Sequence, residues 1–367
     1  AVIYKKQGKD PNEKKMTKPE ITPIITNRDV ASPFLVEVQE SAVKPIEPVF
    51  LDYQKDMSQL KAKSDIPVLY KQNVANDLFQ LIYVFDMGNN HDKALGTAFD
   101  YLEYLGTSDM TPEELKSEFY RLACTFYVSP GNERTYVVLS GLNENMPAAV
   151  QLFEKLLADA QVNKEAYTNM TSDILKARSD AKLNQGQNFS RLMSFAMYGP
   201  KSPATNLLTE AELTNMNPQE LVDRIHNQNS YKHRILYYGP SSSKDLLATI
   251  NQYHQVPAAL KDIPAGNEYS YLETPVTKVL VAPYDAKQIY MAQISNLDKK
   301  YDPAIEPIRA LYDEYFGGGM NSIVFQEMRE TRGLAYSAWA SIMRGSLIIS
   351  INGISKLSFS HVTIGVV

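Results

Sequence analysis

Twice along this 367-residue chain, two β-prone runs lead into a helix, and that recurring order limits the fold more than any other feature of the sequence. In the first instance, "PVLYKQN" (67–73) and "DLFQLIYVFDMG" (77–88) are rich in β-branched and aromatic residues, as paired strands are. Apolar spacing predicts a helix over about 91–105. Thr111-Pro112-Glu113-Glu114 marks another helix start: threonine caps, proline fits the first turn, and Glu114 closes a capping box. "CTFYVSP" (124–130) and "RTYVVLSGL" (134–142) read as a hairpin, 145–160 and 164–183 as helices. Asn217-Pro218-Gln219-Glu220 repeats the cap–proline–acid pattern, "HRILYYG" (233–239) reads as a buried strand, and 242–253 closes with a helix. In the second instance, "KVLVAPY" (278–284) and "QIYMAQIS" (288–295) precede a helix over 302–315.

The expected class is therefore α+β, with two related units, each an antiparallel-type sheet packed by helices, and the second cut short. Identity between the copies is too weak to prove a repeat. Residues 1–48 read as a linker, because Pro11, Pro19, Pro23, Pro33 and Pro45 discourage regular structure. The first domain is placed at 49–256. "VPAALKDIPAG" (256–266), with two prolines and a glycine, leads into the second at 257–367.

Several function classes fall away. A net charge of −5 argues against a nucleic-acid surface, which calls for a basic patch. Cys124 is the only cysteine, so neither an intramolecular disulfide nor a multi-cysteine zinc site can form. No run approaches the roughly 18 apolar residues of a membrane helix. The five histidines, His91, His226, His233, His254 and His361, are scattered, and a packed or surface role is expected for each.

The chemistry concentrates in "FGGGMNSIVFQEMRETRGLAYS" (316–337). Gly317, Gly318 and Gly319 precede a helix expected over 320–332. A phosphate-binding loop would need Lys-Ser or Lys-Thr after the glycines, where Met320-Asn321 stands. Ile323, Val324 and Met328 can face a core, and Gly333 can end the helix. Arg329 lies near that end, and Tyr336 follows seven residues on. Both are donors, and converging on a carbonyl they would hold a peptide backbone and stabilise charge on its oxygen. An arginine paired with a nearby glutamate and a tyrosine packed in a sheet account for the same residues.

This segment closely resembles the C-terminal domains of the pitrilysin and insulysin zinc peptidases: a glycine-rich loop, a helix with "FQE", a hydrophobic residue and arginine, then "RGLAYS". The resemblance implies that Arg329 and Tyr336 contact substrate from the domain opposite the zinc, with Gly317, Gly318 and Gly319 as the neighbouring loop. The family's zinc motif, His-x-x-Glu-His, does not occur here. "GTAFDYLEYLGT" (96–107) is similar to that zinc helix, with Asp100 and Tyr104 at the histidine positions and Glu103 at the glutamate. Tyrosine is a poor zinc ligand, so this reads as a degenerate copy without metal; an ordinary amphipathic helix explains it equally.

The resemblance further implies a linker, a degenerate third domain and part of a fourth, inactive alone. Zinc is expected in the missing N-terminal half, not in this chain. The expected partners are that half, or a separate zinc-bearing subunit, and a peptide substrate, in a bacterial periplasm or envelope. A non-catalytic scaffold subunit of the same fold is the alternative. The end departs from the family pattern: "SLIISINGISKLSFSHVTIGVV" (346–367) matches nothing in it, as expected of a truncated or altered frame or a cloned fragment.

Overall fold

The structure, a computed structural model, describes residues 31–285, 289–300, 302–342, 346–355 and 361–366. It divides into Ala1–Leu51 and Asp52–Val367. In the first unit the described part holds one helix, α1 (Pro33–Glu40). The Ser32 hydroxyl caps it, accepting from the Leu35 amide at 3.2 Å. Pro33 was read as an obstacle to regular structure, yet it occupies the first helical turn, where its missing N–H costs nothing. Residues 1–30 of the expected linker lie outside the described residues.

The second unit contains two sheets. The first joins β1 (Ser58–Lys61), β2 (Pro67–Gln72), β3 (Leu78–Phe85), β4 (Cys124–Pro130), β5 (Thr135–Leu142) and β6 (His233–Gly239) in the order β1-β2-β6-β3-β5-β4. All pairs are antiparallel except β2 with β6. The sheet is thus mixed rather than purely antiparallel. A crossover is the reason: β5 and β6 both run antiparallel to β3, so they point the same way, and reversing twice takes the long helical connection 143–232.

Helices α2 (Leu95–Leu102), α4 (Met146–Asp159), α8 (Gln219–Asn227) and α9 (Ser243–Tyr253) belong to the main core with this sheet. Leu95, Ala98, Phe99 and Leu102 recur at helical spacing on α2 and are all buried. Burying each large side chain contributes roughly 1.5–3 kcal/mol. The capping box read at Thr111 forms at the start of α3 (Pro112–Arg121): Thr111 N donates to Glu114 at 2.8 Å, and Glu114 N donates to the threonine hydroxyl at 3.2 Å. Further along come α5 (Lys164–Ala181), α6 (Gln185–Tyr198) and α7 (Glu210–Asn215).

The second sheet joins β7 (Lys278–Pro283), β8 (Ile289–Lys300), β9 (Ala335–Ile342), β10 (Ser346–Ser355) and β11 (His361–Val366) in the order β7-β11-β8-β10-β9. That matches β2-β6-β3-β5-β4 strand for strand, so the repeated order in the sequence corresponds to a repeated topology. One strand differs. β6 runs parallel to β2, whereas β11 runs antiparallel to β7 and parallel to β8. β11 therefore opposes β10, a direction that a short connection permits. Helix α6, inside the span read as the first domain, packs on this second sheet through Leu192, Met193 and Ala196 around Ile294. Helix α10 (Glu306–Phe316) and the short α11 (Ile323–Phe325) lie beside β9.

Candidate functional site

The helix expected over 320–332 is not regular. Ser322 caps α11, which passes at once into a π-helical turn over Gln326–Thr331. Val324 is buried and Met328 packs beside it, with Ala335, Ala338 and Ala340 of β9; Ile323, expected inside, is 38% exposed. Gly333 ends the helix as read. At φ +58 it takes the left-handed conformation that glycine adopts without a Cβ penalty, and its amide donates to the Arg329 carbonyl at 3.1 Å.

Arg329 sits inside the π turn. Its guanidinium carbon lies 4.8 Å from the Phe325 ring centroid and 5.1 Å from that of Tyr336. Cation–π contact of this kind contributes about 0.5–1 kcal/mol at an exposed site. Arg329 Nε also lies 3.7 Å from Glu330 Oε1, a loose ion pair. The pairing with a local glutamate and the approach to Tyr336 therefore coexist. Tyr336 is 77% exposed, not packed in the sheet.

The strand carrying Tyr336 is irregular too. Ala335 faces Ser355 and Ala338 faces Gly353, so β9 spends one more residue than β10 over this interval. That is a β-bulge at Tyr336 and Ser337, a device that re-aims side chains. Both members of the pair thus sit on one-residue insertions, the π turn and the bulge, features concentrated at functional sites.

The three glycines act mainly through close approach. A Cβ on Gly317 would stand 2.6 Å from Ala340 Cα and overlap the neighbouring main-chain N and O of β9. Gly318 would meet Asp313 O at 2.9 Å, whereas Gly319 would meet only the Glu314 side chain, at 3.3 Å. Arg309 completes the corner: Nη1 donates to Asp313 at 2.6 Å and to the Ile342 carbonyl at 2.9 Å, fastening α10 to the end of β9. Neither Arg309 nor Phe325 was singled out from sequence. The i,i+4 spacings 309/313 and 325/329 were the available signals.

The degenerate zinc positions do not assemble a metal site. Asp100 is exposed on the last turn of α2, Glu103 is its C-cap residue, and Tyr104 lies beyond the helix and is 47% exposed. Although Asp100 is exposed, partial desolvation by its neighbours, and then the charge on Glu103, raise its carboxyl above the ordinary range. Among the described residues no group of three or more His, Cys, Asp or Glu side chains could hold a metal. These residues do not fit a zinc ion.

The histidines go elsewhere. His91 Nδ1 accepts from the Gly88 amide at 3.1 Å, and His226 Nε2 lies 3.1 Å from the Ala160 carbonyl. His233 and His254 are buried and joined to each other, their Nε2 atoms 2.8 Å apart. No sequence reading anticipated that pair.

No family model matches the chain. An uncharacterized zinc protease of Rickettsia felis is 20% identical over 263 residues, covering 68% of this chain and 60% of the relative. The chain thus spans about three-fifths of that curated relative's length. Among solved structures, the inactive domain of a peptidase M16 from Pseudomonas fluorescens superposes with a TM-score of 0.62 at 17% identity, covering 82% of this chain and 74% of that one. The chain has the fold of the M16 peptidases. This M16 fold recurs in the periplasmic protease PqqL of Escherichia coli, with a TM-score of 0.64 at 13% identity, over 89% of this chain and 40% of that one. The α+β architecture expected from the strand pattern and the pitrilysin-type resemblance agree with this M16 fold. Among the described residues no helix is long and apolar enough to cross a membrane.

Proposed function

We propose that this chain is the substrate-holding, C-terminal part of a zinc endopeptidase, acting with a zinc-bearing half. One observation carries the reading: Arg329 and Tyr336 stand side by side, accessible, on two local irregularities of the backbone. Phe325 and Tyr336 flank the guanidinium, and its N–H donors remain at the plane's edges. A peptide carbonyl placed there would accept from Arg329 and from the Tyr336 hydroxyl, and the interaction would strengthen as its oxygen gains negative charge. Scission itself falls to the zinc-bearing half, and the glycine loop fixes the corner on which the pair stands. The likeness to a zinc protease and to an inactive M16 domain supports this division of labour. PqqL, described as periplasmic, supports an envelope location.

The test is complementation. The chain alone is expected to leave an unfolded peptide intact, and addition of the zinc-bearing half to restore cleavage. Restored cleavage that persists when Arg329 and Tyr336 are both replaced would overturn the role, leaving the chain as a scaffold.

A further inference from the structure

At one end of the first sheet, where β6 begins, three ionisable side chains far apart in sequence form one buried hydrogen-bonded chain. Glu154 on α4, His254 at the end of α9 and His233 on β6 are 1%, 0% and 7% exposed. His254 Nδ1 lies 2.7 Å from Glu154 Oε1, and His254 Nε2 lies 2.8 Å from His233 Nε2. At the far end, His233 Nδ1 lies 2.7 Å from the Tyr231 carbonyl.

The geometry fixes where the protons go. A carbonyl only accepts, so His233 Nδ1 carries a hydrogen and donates to Tyr231. Neutral His233 is then bare at Nε2 and accepts from the His254 Nε2–H. His254 and Glu154 share the remaining proton across Nδ1 and Oε1. Glu154 Oε2 accepts from Asn229 Nδ2 and from the Gln255 amide, both at 3.0 Å. One more proton has a single place to go among these imidazoles, His233 Nε2, where it would face the His254 N–H at 2.8 Å. Two donors cannot share that gap.

Other titratable and charged groups surround the chain. From β3, the Tyr83 ring packs 4.4 Å from His254 and 6.2 Å from His233. Its hydroxyl is held well above the ordinary range by burial and by Glu154. The pairs Lys232–Asp262 and Arg234–Asp86 flank His233 along the sequence. Burial, and then the charge on His254, press His233 down to about 4, against the pull of the Tyr231 carbonyl.

The segment that leaves this chain at His254, and is tied to it through Gln255, leads from the first sheet to the second. Gln255 is tied to Glu154, the Ser64 hydroxyl donates to the Pro257 carbonyl at 2.7 Å, and Lys261 exchanges bonds with Ser230 and Lys232 beside His233. We propose that Glu154, His254 and His233 form an acid-sensitive latch: a proton entering at His233 breaks the His–His bond and frees the 255–262 connector. This role does not depend on the peptidase reading.

The test is amide hydrogen exchange of the whole chain, with Gln255 and Lys261 as reporters and Leu139, central in β5, as control. With His233 near 4 when latched and near 6.5 when released, opening is favoured roughly 50-fold more at pH 4.5 than at pH 7. Exchange at Gln255 and Lys261, corrected for intrinsic rates, should rise by about that factor while Leu139 stays protected. His233→Gln keeps a donor for Tyr231 and an acceptor for His254 but takes no proton, so its connector should stay closed at pH 4.5. Equal acid-induced opening in His233→Gln would overturn the latch. Should that variant not fold, nitrogen-15 shifts of the wild-type imidazoles decide: Nδ1–H on His233 at pH 7 upholds the assignment, and Nε2–H refutes it.

Discussion

Replacing Gly317 by alanine tests how the glycine loop builds the corner that bears Arg329 and Tyr336. The backbone of Gly317 is at φ −141, outside the left-handed region that favours glycine, so the penalty comes mainly from contact. The added Cβ would stand 2.6 Å from Ala340 Cα and within the envelope of two further main-chain atoms of β9. Overpacking typically costs 1–3 kcal/mol when side chains can shift. Here the obstacle is the backbone of a paired strand, so about 3 kcal/mol is expected. Gly319→Ala is the control, because its nearest obstacle is the mobile end of Glu314 at 3.3 Å, and it should cost under about 0.5 kcal/mol. Trp339, the only tryptophan, is next to Ala340 on β9 and reports this sheet by fluorescence. With a urea slope of roughly 2 kcal/mol/M, the midpoint of Gly317→Ala should fall by about 1.5 M. A midpoint within about 0.3 M of wild type would refute the close-approach argument.

Three further outcomes follow from the buried network and the metal positions. Because the unfolded chain binds more protons at His233 than the folded one between about pH 4 and 6.5, stability should be full above 6.5 and fall by about 3 kcal/mol as the pH drops to 4, measured by urea titration. Glu154→Gln, which removes the carboxylate facing His254, should cost about 3 kcal/mol at pH 7; a cost below about 1 would mean that the buried pair is not ionic. Calorimetric titration with zinc should find no stoichiometric site tighter than about 1 µM, since Asp100 and Glu103 supply only two carboxylates and Tyr104 is a poor ligand; a tight site abolished by Asp100→Asn would reverse that.

Local chemistry was legible in the residues and long-range placement was not. Thr111 and Glu114 form the capping box their spacing announces, and the runs at 67–73, 77–88, 124–130 and 134–142 are strands, because these signals act within a few residues. Helix α6 was not assigned, although Phe189, Leu192, Met193 and Ala196 follow the helical period. That these residues cover the second sheet rather than the first depends on packing, which no local pattern encodes. The insertion of β6 between β2 and β3 is likewise a matter of chain return over 143–232. At the site, motif spacing pointed to Arg329 and Tyr336 but carried no sign of the π turn or the bulge that aims them. The Glu154–His254–His233 chain joins residues on α4, α9 and β6 that sit in three unrelated local contexts, so scattered histidines were read as ordinary packing.

The central claim is that Arg329 and Tyr336 together grip a peptide carbonyl for a metal centre held elsewhere. Steady-state cleavage of an unfolded peptide by the chain reunited with its zinc-bearing half tests it most directly. Arg329→Ala and Tyr336→Phe should each lower kcat/KM by roughly 10²–10³, the scale of losing one oxyanion donor, with the double variant little worse than either single because the two act on one oxygen. Wild-type kcat/KM in both single variants would contradict the claim.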